Sequence, residues 1–148
     1  MGLSVRDDPK KLVDIAGRQW GEAIDGLALS VILKPKEDEA ELATVSAAIH
    51  NTNAQTRRVP TRGWLHFYEV SVTGEDNTVA VLSPYGRELM KPERQTALTD
   101  VTLAPGEAIE ADIPVGLIFQ VRKGRYRVRA AAALPGGRAI SNEITITI

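Results

Sequence analysis

From Leu27 onward, apolar and polar positions alternate with a period of two, the pattern of strands that bury one face. Leu27, Leu29, Val31 and Leu33 alternate with Ala28, Ser30 and Ile32 to predict a first strand. Ala43, Val45, Ala47 and Ile49 alternate with Thr44, Ser46, Ala48 and His50 to predict a second. Leu65 to Thr73 is rich in aromatic and β-branched residues and reads as a third. Its period slips between Phe67 and Tyr68, so a bulge near His66 is expected. Thr78–Leu82, Ala97–Leu103 and Ala108–Ile113 continue the series, while Val115–Val121 is apolar without alternation and predicts a segment crossing the end of the fold. The clearest alternation comes last. Tyr126, Val128, Ala130 and Ala132 oppose Arg125, Arg127 and Arg129, and after Leu134-Pro135-Gly136-Gly137 the run Glu143–Ile148 alternates again. These two runs predict a long antiparallel hairpin that needs a second sheet over its apolar face.

Turn residues punctuate the strands. Lys34–Glu39 and Gly74-Glu75-Asp76-Asn77 predict turns, and Asn51–Gly63 and Ser83–Arg94 predict longer loops. Seven to eight short strands without a confident central helix predict an all-β fold, an immunoglobulin-like antiparallel two-sheet sandwich, with a closed barrel as the competing arrangement. Residues 1–26 read differently, as an N-terminal arm. Asp8-Pro9 can start one short helix with Leu12, Ile15 and Ala16 on a face and Gly17 at its end; a loose tail accounts for the same residues. Trp20 and Ile24 are expected to pin the arm to the domain, residues 27–148. Tyr126, just past a turn at the start of the penultimate strand, has the position of a tyrosine corner, whose phenol bonds backbone across a sheet-to-sheet crossing.

These residues also resemble a known kind of domain. Asn51-Thr52-Asn53, Pro84-Tyr85-Gly86-Arg87, Leu103-Ala104-Pro105-Gly106-Glu107, Gly124–Ala130 and Ser141-Asn142-Glu143-Ile144, in that order, resemble bacterial immunoglobulin-like β-sandwich modules. The resemblance covers roughly residues 27 to 148 and implies a module of an exported or surface protein with no catalytic function of its own. It thereby favours an extracytoplasmic location, in the periplasm or at the cell surface. Met1–Asp8 lacks the hydrophobic core of a signal peptide, so any such signal would be missing from this sequence.

Composition narrows the chemistry. At 43% hydrophobic and 25% charged, 148 residues suit one folded domain, and a net charge of −1 supplies no global field for nucleic acid or an anionic membrane. The absence of cysteine excludes disulfides and thiolate metal sites, and no apolar run reaches the length of a membrane span. No nucleotide-binding glycine loop, nucleophile elbow or His-Glu-x-x-His motif occurs, so no cofactor, metal or catalytic residue is expected. His50 and His66 read as surface or core residues, and Glu37-Asp38-Glu39 with Glu41 as a solvated turn rather than a calcium loop.

Basic residues carry the remaining candidates. Five of the eight residues from Arg122 to Arg129 are basic, and strand geometry spaces Arg125, Arg127 and Arg129 about 6.5–7 Å apart in a row. The row suits phosphates or acidic sugars, but Glu69 and Glu143 are expected to neutralise it as cross-strand partners. No aromatic residues interleave with it, as a nucleic-acid platform requires. In an immunoglobulin-like topology the loops after the second and penultimate strands share one end, which gathers Arg57, Arg58, Arg62 and Arg138, joined by Arg87 with Trp64 and Tyr85. Those seven residues are the candidate ligand-binding surface, opposite an acidic end of Glu37, Asp38, Glu39, Glu75 and Asp76. The expected function is a non-catalytic interaction or structural module with a protein or glycan partner. Its last strand offers an edge for a second copy to form a homodimer. A carbohydrate- or anion-binding accessory domain, and a protease inhibitor or small hydrolase, are the alternatives.

Overall fold

The computed structural model describes residues 12–34 and 43–148. The helix start at Asp8-Pro9 and the acidic stretch Glu37–Glu41 lie outside them. Nine strands run through the described residues: β1 (Leu27–Leu33), β2 (Thr44–Asn51), β3 (Arg57–Thr61), β4 (Glu69–Gly74), β5 (Thr99–Leu103), β6 (Ala108–Pro114), β7 (Arg125–Leu134), β8 (Gly137–Ile140) and β9 (Ile144–Thr147). Every pairing is antiparallel. One sheet has the order β1-β2-β6; the other centres on β7, with β4 on one side and β8 and β9 end to end on the other. Read as A-B-E and C-F-G, that is the strand order of an immunoglobulin-like sandwich.

The alternation in the sequence fixes what each sheet buries. Leu29, Val31, Val45, Ala47, Ile49 and Ile109 face Val72, Val128, Ala132 and Ile146, and all ten are essentially inaccessible to water. Fully burying a side chain of this kind is worth about 1.5–3 kcal/mol, so this shared layer is the main driving force of the fold.

A third sheet, β3-β5, departs from the expected two-sheet plan. In the standard order, the strand before β6 pairs with β6. Here the outer edge of β6 is already taken by the arm, through a bridge from Leu12 to Ile109 and the bond from Val13 N to Ala108 O at 2.9 Å. β5 instead pairs with Arg57–Thr61, which was expected to be loop, and the ribbon packs Val59, Val101 and Leu103 onto the core.

The expected strand over Leu65–Thr73 is two elements. Trp64–Phe67 forms a helical turn, α1, and only Glu69–Gly74 is strand. A helical turn brings Trp64 against Phe67 and Tyr68, with ring centroids at 5.0 and 5.9 Å, contacts between positions i, i+3 and i+4 that an extended chain does not make. Thr78–Leu82 is not a full strand but makes single bridges, Thr73 to Val79 and Leu82 to Phe119. The expected loop after it contains α2 (Pro84–Leu89) and a 3-10 turn at Pro92–Arg94, and the crossing segment contains α3 (Val115–Ile118). Ser83 caps α2 by accepting from Gly86 N and donates to Leu117 O, which ties the two helices together. Gly86 is required at their contact, because a Cβ there would stand 2.1 Å from the Ile118 carbonyl oxygen.

The arm lies across the outer face of the β1-β2-β6 sheet. It leaves β6 at Val13, passes over β2 and reaches β1 where Gly21 N donates to Leu29 O. No helix forms between Leu12 and Gly26. Asp14 Oδ1 accepts from Ala16 N, and Gly17 takes a φ of +80°, both features of a turn. Trp20 packs on His50 at 5.1 Å. The strap passes so close to the opposite sheet that a Cβ on Gly21 would meet Ile140 O at 1.8 Å.

Candidate functional site

The seven basic and aromatic candidates do not form one surface. Arg57 and the Pro135-Gly136 turn do share an end, and they meet at Asp25. Arg57 Nη2 lies 3.3 Å from the Asp25 carboxylate, Asn53 donates to the Asp25 carbonyl, and a Cβ on Gly136 would stand 2.7 Å from Asp25 Cβ. Arg138 pairs with Glu69 at 2.7 Å. Arg58 is exposed on β3, and Arg62 and Trp64 follow the far end of that strand, about 13 Å along it at the usual rise. Tyr85 and Arg87 sit on α2, packed against the helix that follows β6 at the opposite end of the sandwich. The Arg87 guanidinium donates to the Leu82 carbonyl at 3.0 Å. Nearby, Lys91 and Arg94 share Glu88, both at 2.9 Å, and these cations hold its carboxyl below the ordinary range.

The expected acidic end is mixed as well. Glu75 and Asp76 occupy the turn after β4, beside Arg122, Lys123 and Arg125, where the three basic residues line the same open basin of about 420 Å³. Arg125 reaches Glu75 only at 3.9 Å, and Asp76 is held below its ordinary pKa mainly by the Thr78 N–H it accepts.

The two histidines sit in different settings. Burial beside Trp20 lowers the His50 pKa, whereas His66 lies at the rim of an apolar groove of about 300 Å³ formed by Leu65, Tyr68, Leu82, Met90 and Phe119. Burial pushes the Tyr68 phenol far above its ordinary value. Among the described residues no three His, Asp or Glu side chains form a metal-binding group, and no helix is long and apolar enough to cross a membrane.

Two features stand out beyond the seven candidates. The first is a buried ionic cluster under the strap. Arg18, its side chain 2% exposed, donates through Nη2 to Ser46 Oγ at 2.6 Å and to Glu110 at 3.0 Å, while Ser46 donates to the same carboxylate. Lys34 adds its charge between Glu110 and Asp112, at 3.7 and 3.4 Å. Burial lowers the Arg18 pKa and Glu110 opposes that shift. Among the described residues Arg18 Nη1 and Ser30 Oγ are buried in this layer without hydrogen-bond partners, which is costly. The signal in the sequence was Ser46 and Glu110 on outward strand positions beside the small residues Thr44, Ala48 and Ala108.

The second is the outer face of the β7 sheet. Arg125, Arg127 and Arg129 stand in a row along β7, flanked in register by Ser71 and Thr73 on β4 and by Thr145 and Thr147 on β9. Glu69 and Glu143 do not pair with the row as expected, since Glu69 is engaged by Arg138 and Glu143 makes no ion pair among the described residues. Arg127 donates instead to the neutral Asn77 amide oxygen at 2.6 Å, and among the described residues Arg122, Lys123 and Arg129 have no carboxylate partner within salt-bridge distance. The Tyr126 hydroxyl accepts from Arg122 N at 2.8 Å, the bond of a tyrosine corner, and so fixes the turn that carries Arg122 and Lys123. No protein-family model matches the chain, and comparison with curated proteins finds no match.

Proposed function

We propose that the protein is a non-catalytic interaction module of the bacterial immunoglobulin-like type, and that the outer face of the β7 sheet is its recognition surface. The observation that carries this is the difference between its two outer sheet faces. The strap covers β2, where Thr44, Ser46 and Ala48 point outward yet are at most 5% exposed. The outer face of β7 bears charged side chains left largely unsatisfied by the protein itself, and Arg125 and Arg129 are exposed. Such a solvent-exposed row adds little to folding, while a rigid sheet holds the guanidinium forks ready for a ligand.

The seven basic and aromatic candidates support the same function less well, because Arg57, Arg87 and Arg138 already have partners within the fold. The test is a ligand screen over immobilised proteins and glycans with the wild type and with Arg127→Glu. A ligand retained by the wild type and lost by the variant, at unchanged thermal stability, is expected. Retention by both would remove the β7 face from the function.

A further inference from the structure

We infer that the β7 face binds a linear anionic glycan, one carrying a carboxylate or sulfate on successive sugar units. It rests on the interaction-module function proposed above and names the ligand class of that same face.

The charge comes first. Arg122, Lys123, Arg125, Arg127 and Arg129 form a track that turns from the basin at the Tyr126 corner onto the flat of the sheet. Glu75 and Asp76 lie at its basin end and Glu143, just before the Ile144 that pairs with Val128, at its other end, so five cations face three carboxylates on a chain whose net charge is −1. The excess is therefore local, and it lies where the strand period sets the arginines about 6.5–7 Å apart. A linear ligand with regularly repeated charges meets such a row along its length, whereas a single small anion satisfies one guanidinium at a time.

The groups between the arginines select among polyanions. Ser71, Thr73, Thr145 and Thr147 flank the row with short hydroxyl side chains that donate and accept, the complement of a ligand dense in hydroxyls. A single-stranded nucleic acid needs aromatic side chains for its bases, and the nearest one, Tyr126, points its ring inward with its hydroxyl already engaged by Arg122. An acidic peptide laid on this face would leave its backbone amides opposite side chains rather than a strand edge, the usual way an extended peptide is held. A second copy would bring arginine against arginine. Hydroxyls and regular anionic groups on a chain without bases or amides describe an acidic polysaccharide.

Binding of polygalacturonate and of dextran sulfate to the full chain, measured by calorimetry at low salt and at roughly 150 mM salt, tests this and separates carboxylate from sulfate ligands. Neutral dextran, oligo-dT and polyglutamate complete the set. Binding to at least one anionic glycan and not to dextran is expected. The triple substitution R125A/R127A/R129A should weaken it at least tenfold and flatten its salt dependence by about one slope unit per arginine removed. Thr145→Glu, which sets a carboxylate opposite Arg127, should weaken it in a fold left intact. Arg57→Ala and Arg138→Ala should bind as the wild type does.

Failure to bind either glycan, or binding unaffected by the triple substitution and by Thr145→Glu, overturns the inference. Tighter binding of polyglutamate or oligo-dT that depends on the same arginines also overturns the glycan assignment but upholds the face as the recognition surface. If no ligand of any class depends on these arginines, the interaction-module function at this face fails with it.

Discussion

The two sheets present outer faces of opposite character. On β1-β2-β6 the outward side chains at the centre of the face, Ser30, Thr44, Ser46 and Ala48, are small and buried, and a strap of some ten residues crosses them with Arg18 as its rivet. On the β7 sheet the outward side chains are arginines flanked by hydroxyls, with no segment lying over them among the described residues. Both faces hold arginine, and the difference lies in what satisfies it. Arg18 is held by a carboxylate and a serine of the sheet beneath it, whereas Arg129 makes no ion pair or side-chain hydrogen bond among the described residues. A cation that the fold provides for is part of the scaffold; a cation it leaves in solvent is available to something else.

The largest expected effect comes from breaking the sealed side. Arg18→Ala leaves Glu110 in a nearly buried site with its strongest described cation gone, and breaking a buried pair costs about 3–5 kcal/mol. Because Lys34 and Ser46 remain near Glu110, the lower end, about 3 kcal/mol, is expected in a denaturant titration. Gly21→Ala attacks the same strap without touching charge. Its methyl group would overlap the Ile140 carbonyl oxygen, and overpacking of this kind costs about 1–3 kcal/mol, read as a lower denaturation midpoint and faster proteolysis near Gly21.

Tyr126→Phe removes one hydrogen bond and keeps the packing, which should cost about 0.5–1.5 kcal/mol and loosen the turn holding Arg122 and Lys123. His50 supplies a pH test. Burial places its folded pKa below the ordinary 6.5, so the unfolded chain binds the proton more readily and the neutral form favours the fold. Stability should therefore be full above pH 6.5 and decline as pH falls below it, and His50→Gln should remove that part of the slope in denaturation measured across the pH range. On the open side the effect should be smallest. R125A/R127A/R129A should change stability by less than about 0.5 kcal/mol, as exposed positions do, while acting on ligand binding.

Much of the frame was legible because it depends on period-two burial. β1, β2, β6, β7 and β9, the inward set ending in Ile146, and the role of Tyr126's position all follow from alternation and turn spacing. What alternation does not encode is pairing across long separations. Arg57–Thr61 reads as a polar loop until β5 is set beside it, since only Val59 and Thr61 face inward. Trp64–Phe67 carries strand-favouring residues but folds into a helical turn because its aromatic contacts are local. The arginine partners were misassigned for the same reason. Glu69 lies next to β7 in register, yet its carboxylate reaches across to Arg138 on β8, a choice made by side-chain geometry and not by strand order.

The contrast between the faces can be measured in one experiment, arginine-selective dicarbonyl labelling of the native protein followed by mass spectrometry. Arg129, exposed and with no ion-pair partner among the described residues, should be modified readily and Arg125 soon after, Arg57 and Arg138 more slowly, and Arg18 only when the chain unfolds. Equal labelling of Arg18 and Arg129 under native conditions would contradict the account, because the strap would then seal nothing and the two faces would not differ.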